Sequence, residues 1–245
     1  MSQYSFGAGV MYGTSLTNSP PTPVRFGAMQ DVSLDFSFTT KELFGSYQFP
    51  IAIGRGTGKI TGKSAFAQFN AQVFNDLFFG AANPATGVVR ASVAEAQTVT
   101  ANIATATNGA NFVADQGVVR ASDNAVYTRV TANAVGLQYS LNTTTGVYTF
   151  NNTQNAVAVL LNYTYADSAN GKKISITNQL LGNAPTFSLA FTETYQGKQQ
   201  TIILNSCMSS KLTLATKLED FEIPNFDFQV FADAAGNIGT MNLEE

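Results

Sequence analysis

Apolar and polar residues alternate along most of this chain. Val32, Leu34, Phe36 and Phe38 are interleaved with Asp31, Ser33, Asp35 and Ser37. That period of two belongs to a strand with one buried face. The same alternation recurs at Ile174 and Ile176, at Phe187, Leu189 and Phe191, at Leu212, Leu214 and Leu218, and at Phe226, Phe228 and Val230. GlnGlyLys at 196–198 and AlaGlyAsn at 235–237 are expected to turn hairpins. A polar-aromatic loop over Thr39–Gln48 is predicted before two further strands, near Phe49–Gly54 and Gly58–Lys63. One stretch changes period. Between Ala65 and Phe79, the residues Phe66, Phe69, Val73 and Leu77 share a helical stripe that Phe74 and Phe78 widen. Gln68, Gln72, Asn75 and Asp76 take the opposite side. Ser64 is the expected cap, and Gly80 the expected left-handed end. The pattern predicts a mainly β fold, an antiparallel sandwich or barrel with one flanking α-helix over about 65–79.

The pattern also divides the chain. Residues 1–23 are a short apolar piece followed by the proline-rich TNSPPTP, read as an N-terminal arm that cannot bury itself. Residues 24–84 and 170–245 carry the long regular strands and the helix. Over 85–169 the composition shifts to Ala, Thr, Val and Asn, with turn signals at AsnGly 108–109, AspAsn 123–124 and ThrGly 145–146. This segment reads as a β-rich insertion or a second small β module. The string GVVRAS occurs in it twice, at 87–92 and 117–122.

Composition narrows the chemistry. Only 12% of the 245 residues are charged, about half the usual share. The surface is therefore largely neutral and polar, which suits wide protein contacts. The net charge is −3 and the thirteen bases are scattered, unlike a surface built to grip phosphates. There is no histidine and one cysteine, so His-based triads, His metal ligands and imidazole acid–base chemistry are excluded. Asp31 and Asp35 share a strand face about 13–14 Å apart, too far for a glycosidase pair. Glu219, Asp220 and Glu222 read as a solvated loop. ThrGlyLysIleThrGlyLysSer at 57–64 nearly matches a phosphate loop, but Thr57 stands where the pattern wants glycine, and a parallel α/β context is missing. No catalytic, cofactor-binding or metal residue is assigned, no cofactor is expected, and the chain is read as a non-enzyme. The start, MSQYSFGAGVMYG, lacks the basic region and apolar core of a secretory signal. No run approaches the ~18 apolar residues of a membrane helix. Synthesis in a bacterial cytoplasm is expected.

Several pieces taken in order resemble the tail tube (major tail) proteins of long-tailed bacteriophages. They are AMQDVSLDFSF, GSYQFPIAIGRGTGKITGK, AFAQFNAQVFNDLFFG, GVYTFNN, LLNYTYADSANGKKISITNQLLGNAPTFSLAF and KLEDFEIPNFDFQVFADAAGNIGTMNLEE. Residues 83–134 carry little of the likeness. The resemblance implies a virion structural protein with a β-sandwich and one helix. Six copies would form a ring whose inner strands join into one barrel, and rings would stack head to tail into a tube for ejecting genome DNA. The tube proteins of contractile injection systems share that plan. Implied partners are further copies of the chain, terminator, baseplate or tip and tape measure proteins, and double-stranded DNA in transit. A sheath is left open, and no membrane is implied. The implied location is the virion tail.

On this reading Asp31 and Asp35 face the lumen, because they share the non-core face of a regular strand, and a negative bore repels phosphates. Lys41, Glu42, Leu43, Phe44 and Tyr47 form the ring-stacking loop, with Lys41 and Glu42 as its charged pair. The alternative reading is a β-rich decoration or adhesin-type binding module of a virion.

Overall fold

A computed structural model describes residues 7–68, 70–80, 84–216 and 218–244. The chain is mainly β, in two compact units, residues 1–84 with 174–245 and residues 85–173. Each unit holds one sheet.

The sheet of the first unit is built from β1 (Val10–Ser15), β2 (Pro23–Arg25), β3 (Met29–Phe44), β4 (Pro50–Phe66), β12 (Thr186–Tyr195), β13 (Lys198–Thr213), β14 (Asn225–Val230) and β15 (Gly239–Leu243). Its order is β2-β1-β12-β13-β14-β4-β3, with β15 on β13. All its pairings are antiparallel. Alternation puts Met11, Phe66, Phe187, Leu189, Phe226 and Phe228 on one face, where they are buried together with Phe26. Val32 and Leu34 of β3, at one end of the strand order, pack into the same core as Met11 of β1, near the other. The sheet therefore curls around its phenylalanines. Their rings meet at centroid distances of 5.3–6.0 Å in the pairs Phe26–Phe66, Phe26–Phe226, Phe66–Phe74, Phe78–Phe226, Phe187–Phe226 and Phe226–Phe228, as aromatic pairs prefer. Cys207 is buried in this core, and burial pushes its thiol up to about 12.

The helix is shorter than its stripe. β4 runs to Phe66, and α1 covers only Ala71–Phe74, continued by a π-turn over Asn75–Phe79. Ser64 is a buried strand residue rather than a cap. Asn70 caps instead, its Oδ1 accepting from the Gln72 N–H at 2.9 Å. The reason is that Gly62, Ser64 and Phe66 continue the inward period of β4, so the first apolar position of the stripe is claimed by the sheet. Phe69 lies outside the described residues. Val73, Phe74 and Leu77 are buried, and Gly80 ends the element at φ 56°. Asp76 is buried but accepts from Asn18 Nδ2 (3.0 Å), Gln72 Nε2 (2.8 Å) and Asn75 Nδ2 (3.2 Å). Ser209 Oγ donates to the Leu77 carbonyl at 2.6 Å. These bonds fix the short helix to the proline-rich segment and to β13.

Other expectations change as well. Residues 1–6 of the expected arm lie outside the described residues, but 10–15 are a strand paired with β12, with Met11 in the core. The strands expected at 49–54 and 58–63 are one strand, because the glycines between them are tolerated in a hairpin arm. The strand expected to continue to Leu218 stops at Thr213, and Ile174 and Ile176 lie outside any strand. GlnGlyLys does turn β12 into β13, with Gln196 at φ 52° and Gly197 at φ 80°. The turn at 233–237 joins strands that do not pair with each other, because β15 returns to β13.

The second unit contains β5 (Ala85–Thr98), β6 (Ile103–Thr105), β7 (Phe112–Arg120), β8 (Val126–Arg129), β9 (Gln138–Asn142), β10 (Val147–Phe150) and β11 (Ala158–Lys173), ordered β5-β11-β7-β8-β9-β10-β6. The two GVVRAS copies lie in the first half of β5 and at the end of β7, on either side of β11. Their first glycines, Gly87 and Gly117, share φ near +100°, a backbone that L side chains avoid. The core is rich in tyrosine, and each buried hydroxyl has a partner. Tyr139 donates to Asp115 at 2.6 Å, Tyr148 to Asp115 at 3.2 Å, Tyr127 to Gln154 at 2.6 Å and Tyr163 to Glu95 at 2.6 Å. Burial opposes a charge on Glu95, yet hydrogen bonds from Tyr163, Thr107 and Gln97 hold its carboxyl down at about 2.

Candidate functional site

β3 and β4 extend well past the core. From Asp35 to Phe49 and from Ile51 to Lys59 every residue is exposed. At ~3.3 Å per residue the arm beyond Phe36 is about 30 Å long. The strands stay paired nearly to the tip, with Thr40 opposite Arg55 and Leu43 opposite Ala52. The expected loop over Thr39–Gln48 is therefore mostly strand, closed by a tip at residues 45–49. Lys41 and Glu42, adjacent on a strand, point to opposite faces and do not form a pair. Leu43 and Phe44 are more than half exposed and Tyr47 is 84% exposed.

The return arm adds what the sequence reading missed. Phe49, Ile51 and Ile53 are 80%, 66% and 64% exposed, so the tip is apolar on both arms. The run PheProIleAlaIle, without one polar residue, was the available signal. Two irregular segments of the same unit also expose large apolar side chains, Ile176, Leu180 and Leu181 in one and Leu214, Leu218 and Phe221 in the other. Patches this extensive mark contact surfaces. A second feature lies along the hairpin. β3 is the last strand of its sheet and pairs only with β4 among the described strands. Sixteen residues thus present an open backbone edge, the kind that templates pairing with another chain.

Asp31 and Asp35 are exposed on β3, opposite Ala65 and Thr61. Between them, Ser33 faces Lys63, which faces Asp227, which faces Lys211. Lys59 continues this outer face opposite Ser37. Three acids thus share the face with three bases, so it is balanced rather than acidic. The expectation of a negative face from Asp31 and Asp35 overlooked the lysines that cross-strand pairing brings beside them.

The segment resembling a phosphate loop, 57–64, is continuous strand within β4, with Lys59 and Lys63 exposed. A strand offers no looped cradle of N–H groups at a helix start. Among the described residues no group of three or more Asp, Glu or Cys side chains is placed to hold a metal ion, and no helix is long and apolar enough to cross a membrane.

No family model and no curated protein matches this chain. The functional reading therefore rests on the hairpin, the open edge and the exposed apolar segments.

Proposed function

We propose that the chain is a self-assembling structural subunit, a tail tube protein of a long-tailed bacteriophage. Its copies close into hexameric rings and stack into a conduit for genome DNA. The observation that carries this reading is the β3–β4 hairpin, an arm of about 30 Å with both faces exposed, an apolar tip and a free sixteen-residue edge. Such an arm is stabilised by little in its own chain and gains most by docking on another. Pairing of β3 with a neighbour's sheet completes the backbone hydrogen bonds of that edge. A hairpin that reaches a different surface on the next copy makes a heterologous contact, and repetition of that contact builds an open filament.

The balanced outer face, with Asp31, Asp35 and Asp227 among Lys59, Lys63 and Lys211, lines the bore in this account. Phosphate affinity needs clustered bases without compensating acids. A neutral mosaic gives DNA little to hold, so it slides. No residue is given a catalytic role, and tape measure, terminator and tip proteins complete the tail around the tube.

Sedimentation velocity over a rising concentration series tests the reading. Discrete high-mass species that grow with concentration are expected from the full chain. A species fixed at one or three copies at every concentration refutes assembly and favours a decoration or adhesin-type module.

A further inference from the structure

The curled sheet leaves a cleft where its two ends approach. Gly7 and Ala8 precede β1, Gln30 and Asp31 come from β3, and Phe191 and Glu193 come from β12. Together they line a space of about 350 Å³. Glu193 lies on the inward face of β12, in the same register as Phe187, Leu189 and Phe191. It is 8% exposed, and its Oε1 is buried with no hydrogen-bond partner among the described residues. A buried carboxylate oxygen without a donor is costly and uncommon. The other charged residue among the described lining, Asp31, is also an acid, on the outer face at the rim. Among the described residues the cleft thus presents one buried carboxylate, with a second acid at its rim and no base.

We propose that this cleft receives one basic side chain from the hairpin of a second copy, Lys41 or Arg55. The inference rests on the assembly reading and specifies its contact. A metal ion suits the cleft poorly, since hard cations take six or more oxygen ligands and no group of three acids converges among the described residues. A guanidinium or ammonium group brings several donors on one flexible stem and satisfies the buried carboxylate with charge-assisted hydrogen bonds. Charge identifies the source. Residues 36–59 carry Lys41, Arg55 and Lys59 against Glu42, a net +2, whereas the rest of the first unit carries five bases and eleven acids, a net −6. The chain's own hairpin cannot supply the group. Lys41 is ten residues along a continuous strand from Asp31, about 33 Å away, and Arg55 stands opposite Thr40. A second copy has no such restriction, and insertion of its arm is the head-to-tail contact that repeats.

Two experiments on the full chain test the proposal. The isosteric Glu193→Gln removes the buried charge, so the single chain melts no lower than wild type. The concentration for half-assembly rises at least about tenfold, because loss of one partner of a buried charge pair weakens association by that much or more. Carbodiimide then couples amines to carboxylates in assemblies mixed from isotopically heavy and light chains, using wild type and Arg55→Lys. Heavy–light peptides joining position 41 or 55 to Glu193 are expected. If wild type assembles but Glu193→Gln assembles equally well, or the coupling joins these positions only to other acids, this inference falls and the assembly reading stands. If wild type never assembles, both fall.

Discussion

The guanidinium carbon of Arg55 lies 3.4 Å from the centroid of the Phe38 ring. The same ring covers Gly58, where a Cβ would come within 2.8 Å of Phe38 Cε1. Phe38 is thus the aromatic cover of a glycine on the partner strand and the seat of a cation, and it stiffens the hairpin where the core no longer supports it. Arg55→Ala removes about 0.5–1 kcal/mol of local interaction. Hydrogen exchange is expected to accelerate over 38–58, with the protection of Phe187, Leu189 and Phe228 amides unchanged. Uniform loss of protection across both regions would contradict a local role.

The hairpin should be separable from the fold. Replacing residues 39–57 by Asn-Gly joins Phe38 to Gly58, which already face each other, through a two-residue turn. No core side chain is lost, so the melting temperature should stay within about 4 °C of wild type, while sedimentation shows single chains only. Assembly of this variant at wild-type concentrations would remove the hairpin from the interface.

Gly62 lies directly beneath the Phe228 ring, and a Cβ there would overlap it. Phe228 is 1% exposed among Phe187 and Phe226, so the ring has little room to yield. Gly62→Ala should cost about 1–3 kcal/mol by overpacking, and Phe228→Ala about 3–5 kcal/mol by cavity formation. Urea unfolding measures both, and the double variant should cost less than the sum because the new methyl enters the vacated space.

The second unit should be acid-sensitive through Glu95. Its carboxyl is held at about 2 against an ordinary value of 4.5. A depressed carboxyl contributes stability above the unfolded value, and that contribution is lost as pH falls from about 4.5 toward 2. Near-ultraviolet tyrosine dichroism should therefore decline across that window. Glu95→Gln should lower stability at pH 7 and flatten the acid limb. At the other extreme, burial first and then Asp115 raise the hydroxyls of Tyr139 and Tyr148 above 10. Stability from these groups is present below pH 10 and lost above it, so their phenolate absorbance should appear only as the unit unfolds.

The outer face of the first sheet gives a prediction about DNA. Asp35→Lys with Asp227→Asn changes the face from three acids and three bases to one acid and four bases. Wild-type assemblies should bind duplex DNA negligibly at about 0.15 M salt. The variant should bind with a log–log salt slope whose magnitude grows with the bases engaged. Equal binding by the two would mean that DNA does not meet this face.

The sequence made the strands of the first unit legible where one face was core. Phe187, Leu189, Phe226 and Phe228 alternate as read because packing fixes their register. It failed where burial no longer governs the pattern. The arm beyond Phe38 has no buried face, so Gly54, Gly56 and Gly58 looked like breaks and Thr39–Phe44 like a loop. The helix was overextended because Phe66 satisfies a period of two and a period of 3.6 alike, and only the sheet decides between them. Asp31 and Asp35 were legible as a non-core face, but their lysine neighbours come from positions 24 or more residues away, and pairing across that distance leaves no local mark. Glu193 gave no signal at all, since it stands in a strand at an inward position that alternation marks as apolar.

Electron microscopy of the purified full chain, concentrated stepwise, tests the central claim most directly. The account predicts closed rings of six copies that stack into tubes with an open bore, with density from each hairpin crossing into the next ring. Isolated single chains at every concentration, or closed particles with no axial repeat, would contradict it.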